Sequence, residues 1–190
     1  VLNDFYYSYD GGKSWSSESM RSEYGVWGDP VLMFDTANTA YYFHLASYKK
    51  TSHLDRIVCQ KAQINEEGEL RAEMFDKGTF TEPNGTKVQD KHWTVLNEKT
   101  NEIYMTWTQF DEYNSKEEAD STIIVFSKSA DQGATWTAPK RISFYAGDCL
   151  DGDNTVEGAV PAVGPNGEIY VTWTGPKGLV FQKSLDGGET

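Results

Sequence analysis

Residues 129–136 read S-A-D-Q-G-A-T-W, the same octad stands at 8–15 as S-Y-D-G-G-K-S-W, and it returns at 184–190 as S-L-D-G-G-E-T. The pattern S-x-D-x-G-x-[ST]-W describes a self-bonded turn. Opened by Ser8, Ser129 and Ser184, each copy places an aspartate (Asp10, Asp131, Asp186) to accept backbone N–H bonds and a glycine (Gly12, Gly133, Gly188) where positive φ is required. Trp15 and Trp136 are then expected to pack back on their own hairpins.

Outward from the octads, a second pattern runs in phase. I-Y-M-T-W-T at 103–108 matches I-Y-V-T-W-T at 169–174, with Y-Y-F-H-L-A at 41–46 as a looser copy. Alternation and β-branched or aromatic content make these strands. Each follows a turn and a shorter apolar run (30–34, 93–96, 159–163), and each leads to a third strand: I-V-C-Q-K at 57–61, I-V-F-S-K at 124–128 or L-V-F-Q-K at 179–183. The third strands enter the octads directly, except that 57–61 enters A-Q-I-N-E-E-G-E, a degenerate copy. Strand, turn, strand, loop, strand, octad, strand, recurring about every 65 residues, is the plan of a propeller blade. The expected fold class is an all-β propeller of four-stranded antiparallel blades. Its expected division is the end of one blade (1–28), two full blades (29–91 and 92–157) and an incomplete blade (158–190). About half a six-bladed ring leaves two blade faces uncovered, so a second copy or a missing segment is expected to complete it.

The 190 residues carry a formal charge of -12, with 38% hydrophobic and 14% aromatic residues and a pI near 4.6. So many aromatics exclude disorder, and the acidity opposes binding to nucleic acid or anionic lipid. No apolar run is long enough for a membrane span, and the opening V-L-N-D-F-Y-Y is no signal peptide. Cys59 and Cys149 form no C-x-x-C pair. Cys59 aligns with Phe126 and Phe181 in the repeat, which gives it a packing role and argues against a bridge to Cys149.

With these repeats, and with Y-G-V-W-G-D-P at 24–30, D-R-I-V-C-Q-K at 55–61 and V-E-G-A-V-P-A-V-G-P-N-G-E-I-Y-V at 156–171, most of the chain resembles the Asp-box (BNR-repeat) proteins of the sialidase superfamily, in particular sialidase-like proteins exported by Bacteroidetes. The resemblance implies a secreted, periplasmic or cell-surface protein that acts on or recognises glycans. It also implies inner strands that start on the substrate face and octads on the opposite face. If catalytic, such a protein is a glycoside hydrolase of the exo-α-sialidase kind; the alternative is a non-catalytic carbohydrate- or protein-binding propeller. A sialidase needs three arginines on the substrate carboxylate, the first usually in [FY]-R-I-P, and that motif is absent. Arg56 lies near the expected substrate face, whereas Arg21, Arg71 and Arg141 read as solvated.

Aligning the blades brings Trp27-Gly28-Asp29, Gln89-Asp90-Lys91 and Val156-Glu157-Gly158 together as a rim. Asp29, Asp90 and Glu157 are the candidate catalytic acid/base residues, since paired carboxylates in a shielded funnel split their pKa values. The structural alternative is that Asp29 and Glu157 cap strand ends. Lys91, His92, Arg56, Trp27 and Trp93 are candidate substrate contacts, the tryptophans as stacking faces, while Trp107 and Trp173 are expected to pack between blades. Asp148, Asp151 and Asp153 in G-D-C-L-D-G-D-N are candidate Ca²⁺ ligands, an acidic solvated loop being the competing reading. No other cofactor is expected.

Overall fold

The computed structural model describes residues 3–47 and 53–190. Thirteen strands and one turn of 3₁₀ helix (Ala72–Met74) follow in chain order: β1 (Asp4–Tyr7), β2 (Ser16–Ser19), β3 (Val31–Phe34), β4 (Thr39–Ala46), β5 (Arg56–Gln63), β6 (Thr79–Phe80), β7 (Val88–Asn97), β8 (Glu102–Phe110), β9 (Thr122–Ser129), β10 (Lys140–Arg141), β11 (Glu157–Val163), β12 (Ile169–Gly175) and β13 (Gly178–Ser184). They form four antiparallel sheets: β1-β2, β3-β4-β5-β6, β7-β8-β9-β10 and β11-β12-β13. This is the expected all-β architecture of blades. Two inner strands begin earlier than the apolar runs suggested, β7 at Val88 and β11 at Glu157. In both, the ladder shifts register near its start, between Asp90 and Trp93 and between Glu157 and Val160, so a bulge carries the polar residues inside the strand.

In the two middle blades the central strands β4 and β8 are buried on both faces, because each of these blades is sandwiched between two others. In β4, Tyr41, Phe43 and Leu45 point one way into a core shared with Ile103, Met105 and Trp107 of β8, while Ala40 and Tyr42 point the other way toward Phe5, Met20 and Phe75. The period of two then passes the arrangement on. Tyr104 of β8, with Ile124 and Phe126 of β9, meets Val156, Ala159, Ile169, Val171 and Trp173. Trp107 and Trp173 are buried between sheets as expected, and Trp107 Nε1 donates to Gln89 Oε1 at 2.6 Å.

The octads fold as read and do one thing more. Asp131 accepts from Thr135 N (2.8 Å) and Thr135 Oγ1 (2.6 Å), and Ser129 Oγ accepts from Gly133 N (2.8 Å). The Asp10 and Asp186 turns repeat these bonds. In the degenerate copy Asn65 replaces the aspartate, accepting from Glu69 N at 2.7 Å. Trp136, however, does not pack on its own hairpin: Nε1 donates to Thr79 Oγ1 (3.0 Å) and the ring meets Phe43 edge-on, both in the preceding blade. The turn is flat against that blade, which brings the indole closer to its neighbour than to its own strands. Gly133 lies against Cys59, and Gly188, one repeat later, lies against Phe126. Lys61 Nζ donates to Gln132 O (3.2 Å), and Lys128 Nζ to Gly187 O (3.1 Å). The octads at 129–136 and 184–190 are therefore latches onto the third strand of the blade before each of them.

Trp15, in the turn between β1 and β2, is 64% exposed, and on the last sheet Leu179 and Phe181 are 84% and 69% exposed. Both cysteines are free and buried, and burial pushes the Cys59 thiol up.

Two stability predictions follow from the latch. Side-chain bonds from Thr135, then its backbone N–H, hold the Asp131 carboxyl down at about 2. Since the folded pKa lies below the unfolded one, its contribution is present above about pH 4 and is lost as pH falls toward 2. Asp131→Ala should lower stability at pH 7 by about 1–2 kcal/mol, modest because the carboxylate faces solvent, and Asp131→Asn by less. Chemical denaturation at pH 7 and pH 2.5 checks this, the Ala penalty shrinking at the lower pH. Gly133 (φ 77°) and Gly11 (φ 72°) both adopt left-handed backbone, but a Cβ on Gly133 would stand 3.1 Å from Cys59 Sγ and one on Gly11 would meet nothing. Gly133→Ala should therefore cost about 2–3 kcal/mol against about 1 for Gly11→Ala, with Cys59→Ala recovering part of the difference.

Candidate functional site

The register places the octads at one end of each blade and the bulges at the other: Phe110 at the end of β8 pairs Val88 at the start of β7, whereas Ile103 at its beginning pairs Ser129. At the bulge end Asp29 (φ 50°), Lys91 (φ 50°) and Gly158 (φ 70°) occupy equivalent positions with left-handed backbone. Repeated strain of this kind turns the polar side chains of three neighbouring inner strands toward one another.

Lys91 is the hub. Its N–H donates to Asp29 Oδ2 (3.2 Å) and Asp90 Oδ1 (2.9 Å), and its Nζ lies 2.7 Å from Glu157 Oε2, 3.1 Å from Asp151 Oδ1 and 3.7 Å from Asp90 Oδ2. Tyr113 OH donates to Asp151 Oδ2 at 2.6 Å. Burial works against the Lys91 charge, but the bonds to Glu157 and Asp151 and the surrounding carboxylates outweigh it and raise the ammonium above its ordinary range. Asp151 is held low by its bonds from Tyr113 and Lys91, and the bond to Asp151, with burial, raises the Tyr113 phenol. Asp90 goes the other way. Burial pushes it up to about 6, and Asp29 adds to this by charge and by a hydrogen bond, against the pull of Lys91. The rim thus holds one carboxyl raised to about 6, Asp90, near another held low, Asp151.

Two cavities flank the β7 bulge. One of about 340 Å³ is lined by Asp29, Lys91, His92, Trp93, Gly158 and Val160 among others. The second, about 720 Å³, is lined by His53, Thr86, Asp90, Asp111, Glu112 and Tyr113 among others. Trp93 is 49% exposed in the first, as a stacking face requires. His92 is only 2% exposed, and both its ring nitrogens are buried with no hydrogen-bond partner. Burial pushes its imidazole down to about 4, against the opposing charge of Asp29, so it is neutral at pH 7. A cavity of about 750 Å³ lined by Glu18, Arg21, Gln60, Glu73 and Asp76 lies away from the bulges. Its Glu18 is already taken by Arg71 and Ala72 N, which makes this a structural seam.

Several expected contacts are placed otherwise. Trp27 is half-buried, packed on the core cluster that contains Val31 and Leu45, with Gly25 close against its indole. Arg56 is buried, bidentate to Asp55 (2.8 and 3.0 Å) and 4.4 Å from the Phe80 ring, so it braces β5 rather than reaching the rim. Arg71 is not free in solvent either, being paired with Glu18 at 3.0 Å and lying over Tyr7. The three loop aspartates do not converge: Asp148 accepts from Leu150 N and Thr155 Oγ1, Asp151 turns to Lys91, and Asp153 is exposed. Among the described residues no group of three or more His, Cys, Asp or Glu side chains is arranged to hold a metal ion. Asp151 and Tyr113 are rim residues that the repeat alignment could not find, since both lie on loops between the repeated strands.

The raised Asp90 pKa sets a pH-dependent stability. Between about pH 4 and 6 the folded carboxyl retains a proton that the unfolded one has lost, so its contribution is most favourable at low pH and declines as pH rises to 6. His92 has the opposite slope over pH 4–6.5, because unfolding lets it take up a proton. Asp90→Asn leaves the His92 slope in place and removes the other. The variant should gain stability over wild type from pH 4 to 6, by up to about 2 kcal/mol, and hold that gain above pH 7. Paired melting curves across this range measure it; a pH-independent difference would contradict the assignment.

No protein-family model and no curated protein sequence matches the chain. Solved structures do match its fold. A protein of unknown function from Dyadobacter fermentans is 14% identical with a TM-score of 0.65, over 97% of this chain and 55% of that one. The Hadza microbial sialidase Hz136 is 13% identical with a TM-score of 0.58, over 85% of this chain and 35% of that one. A thermostable family-43 glycoside hydrolase is 13% identical with a TM-score of 0.50, over 90% of this chain and 60% of that one. The chain therefore spans between about a third and three fifths of these proteins. At such identities the likeness is one of architecture, and the chain is a sector of an all-β propeller fold that these proteins share.

Proposed function

We propose that the bulge rim binds glycans and that Asp90, paired with Asp29, serves as the proton donor for glycoside hydrolysis in an exported, sialidase-like propeller. The observation that carries this reading is the carboxyl pair itself: Asp90 is pushed up to about 6 beside Asp29, while Lys91 holds Glu157 and Asp151 at the same rim. A protonated Asp90 gives its proton to the departing glycosidic oxygen as the anomeric C–O bond breaks. Water then adds to the anomeric carbon and yields its proton to the exposed Asp29 carboxylate, and the negative rim stabilises the oxocarbenium-like charge between the two events. Lys91 positions the carboxylates. It touches too many of them to act as an acid. Trp93 supplies the stacking surface for the ring.

The half-exposed Trp93 also supports the rival reading, a binding propeller without turnover. A panel of aryl glycosides assayed between pH 4 and 8 separates the two. The enzyme reading expects turnover whose rate falls above about pH 6 as Asp90 loses its proton, and a loss of about 10²–10⁴-fold in kcat with Asp90→Asn. Glycan binding that is lost on Trp93→Ala, with no hydrolysis of any panel member, would leave the binding reading alone.

A further inference from the structure

The rim is crowded with carboxylates and short of cations. Among the described residues lining the two cavities beside the β7 bulge, Lys91 is the only lysine or arginine, against Asp29, Asp90, Asp111 and Glu112. Nor does Lys91 have charge to spare, since its Nζ lies within 3.1 Å of both Asp151 and Glu157 and 3.7 Å from Asp90. Nearby cations are matched in the same way. Lys87 Nζ bonds Asp111 and Arg56 bonds Asp55, each on one carboxylate. An anionic sugar brought to this place meets like charge with no counter-ion free to receive it.

The same cavity holds a polar group suited to another ligand. His92 lines the smaller cavity with both ring nitrogens buried and unpartnered, a costly arrangement unless something bonds them. One ring nitrogen of a neutral imidazole donates and the other accepts, so either can bond a single sugar hydroxyl, which serves as acceptor or donor. Trp93, next along the strand, offers an apolar face at the mouth of the same cavity. Ring face on Trp93 and hydroxyl on His92 are the two contacts a pyranose makes best.

Resting on the proposed glycan-binding function, we infer that the sugar seated at this rim is uncharged, bound through His92 and Trp93, and that sugars bearing a carboxylate are disfavoured by the excess of carboxylates over cations in the two cavities, with Asp29 in the one and Glu112 in the other. The specificity is thus opposite in sign to that of a site built around free arginines. It comes from repulsion of the wrong ligand as much as from attraction of the right one.

A glycan array carrying matched pairs tests it: glucosides against glucuronides, galactosides against galacturonides, and N-acetyllactosamine against its sialylated form. The neutral member should bind at least tenfold more tightly at 50 mM salt, and the gap should narrow at 500 mM as screening weakens the repulsion. Asp29→Asn should narrow it too. His92→Phe should weaken the neutral ligand several-fold without lowering the melting temperature, since it removes two unpaired buried nitrogens; a lower melting temperature with unchanged affinity would refute the contact. Equal or tighter binding of the anionic members would overturn the inference and leave the glycan-binding function standing. Binding to no member of any pair would overturn the proposed function, and the inference with it.

Discussion

The contact between an octad glycine and the third strand of the blade before it is the constraint on which the rest of this structure depends. At Gly133 the neighbour is Cys59, and at Gly188 it is Phe126, the same place in the repeat. A side chain larger than hydrogen would lift the turn off the blade. The self-bonded aspartate keeps the turn rigid, the left-handed glycine lets it lie flat, and the lysine two residues beyond the contacted strand position ties down the turn's carbonyl. The spacing between blades, and with it the arrangement of their inner strands, is fixed from the end opposite the rim.

That spacing makes the rim possible. A bulge at one inner strand would only bend that strand. Bulges in β7 and β11, with the left-handed turn at Asp29 just ahead of β3, bring Asp29, Asp90, Lys91 and Glu157 into one charged cluster, where a single ammonium serves several carboxylates and one carboxyl is raised to about 6. The arrangement destabilises the protein above pH 6, since a buried carboxyl that must ionise opposes folding. Residues held at such a cost without a structural gain mark a functional place more reliably than does the number of acids.

Burial also sets the chemical character of His92. Surrounded by packed strand ends, it stays neutral where an exposed histidine would be partly charged, and its two ring nitrogens are buried without a hydrogen-bond partner. Tyr113, in contrast, is bonded to a carboxylate that raises its phenol, so it is an orienting donor to Asp151 and not a phenolate.

By itself the sequence determined the blades, because a period of two and a repeated turn are local patterns that survive without any knowledge of partners. Aligning repeats also placed Asp29, Asp90 and Glu157 at one end and paired Cys59 with Phe126, since equivalent positions in a repeat are equivalent in space. What only the tertiary structure decided were the contacts between non-equivalent pieces. Asp151 and Tyr113 reach the rim from loops that obey no repeat; Trp136 crosses to the preceding blade; Arg56 and Arg71 are taken by Asp55 and Glu18. The protonation of Asp90 and the neutrality of His92 belong there too, because a pKa answers to burial and neighbouring charge, and neither is written in the order of residues along a strand.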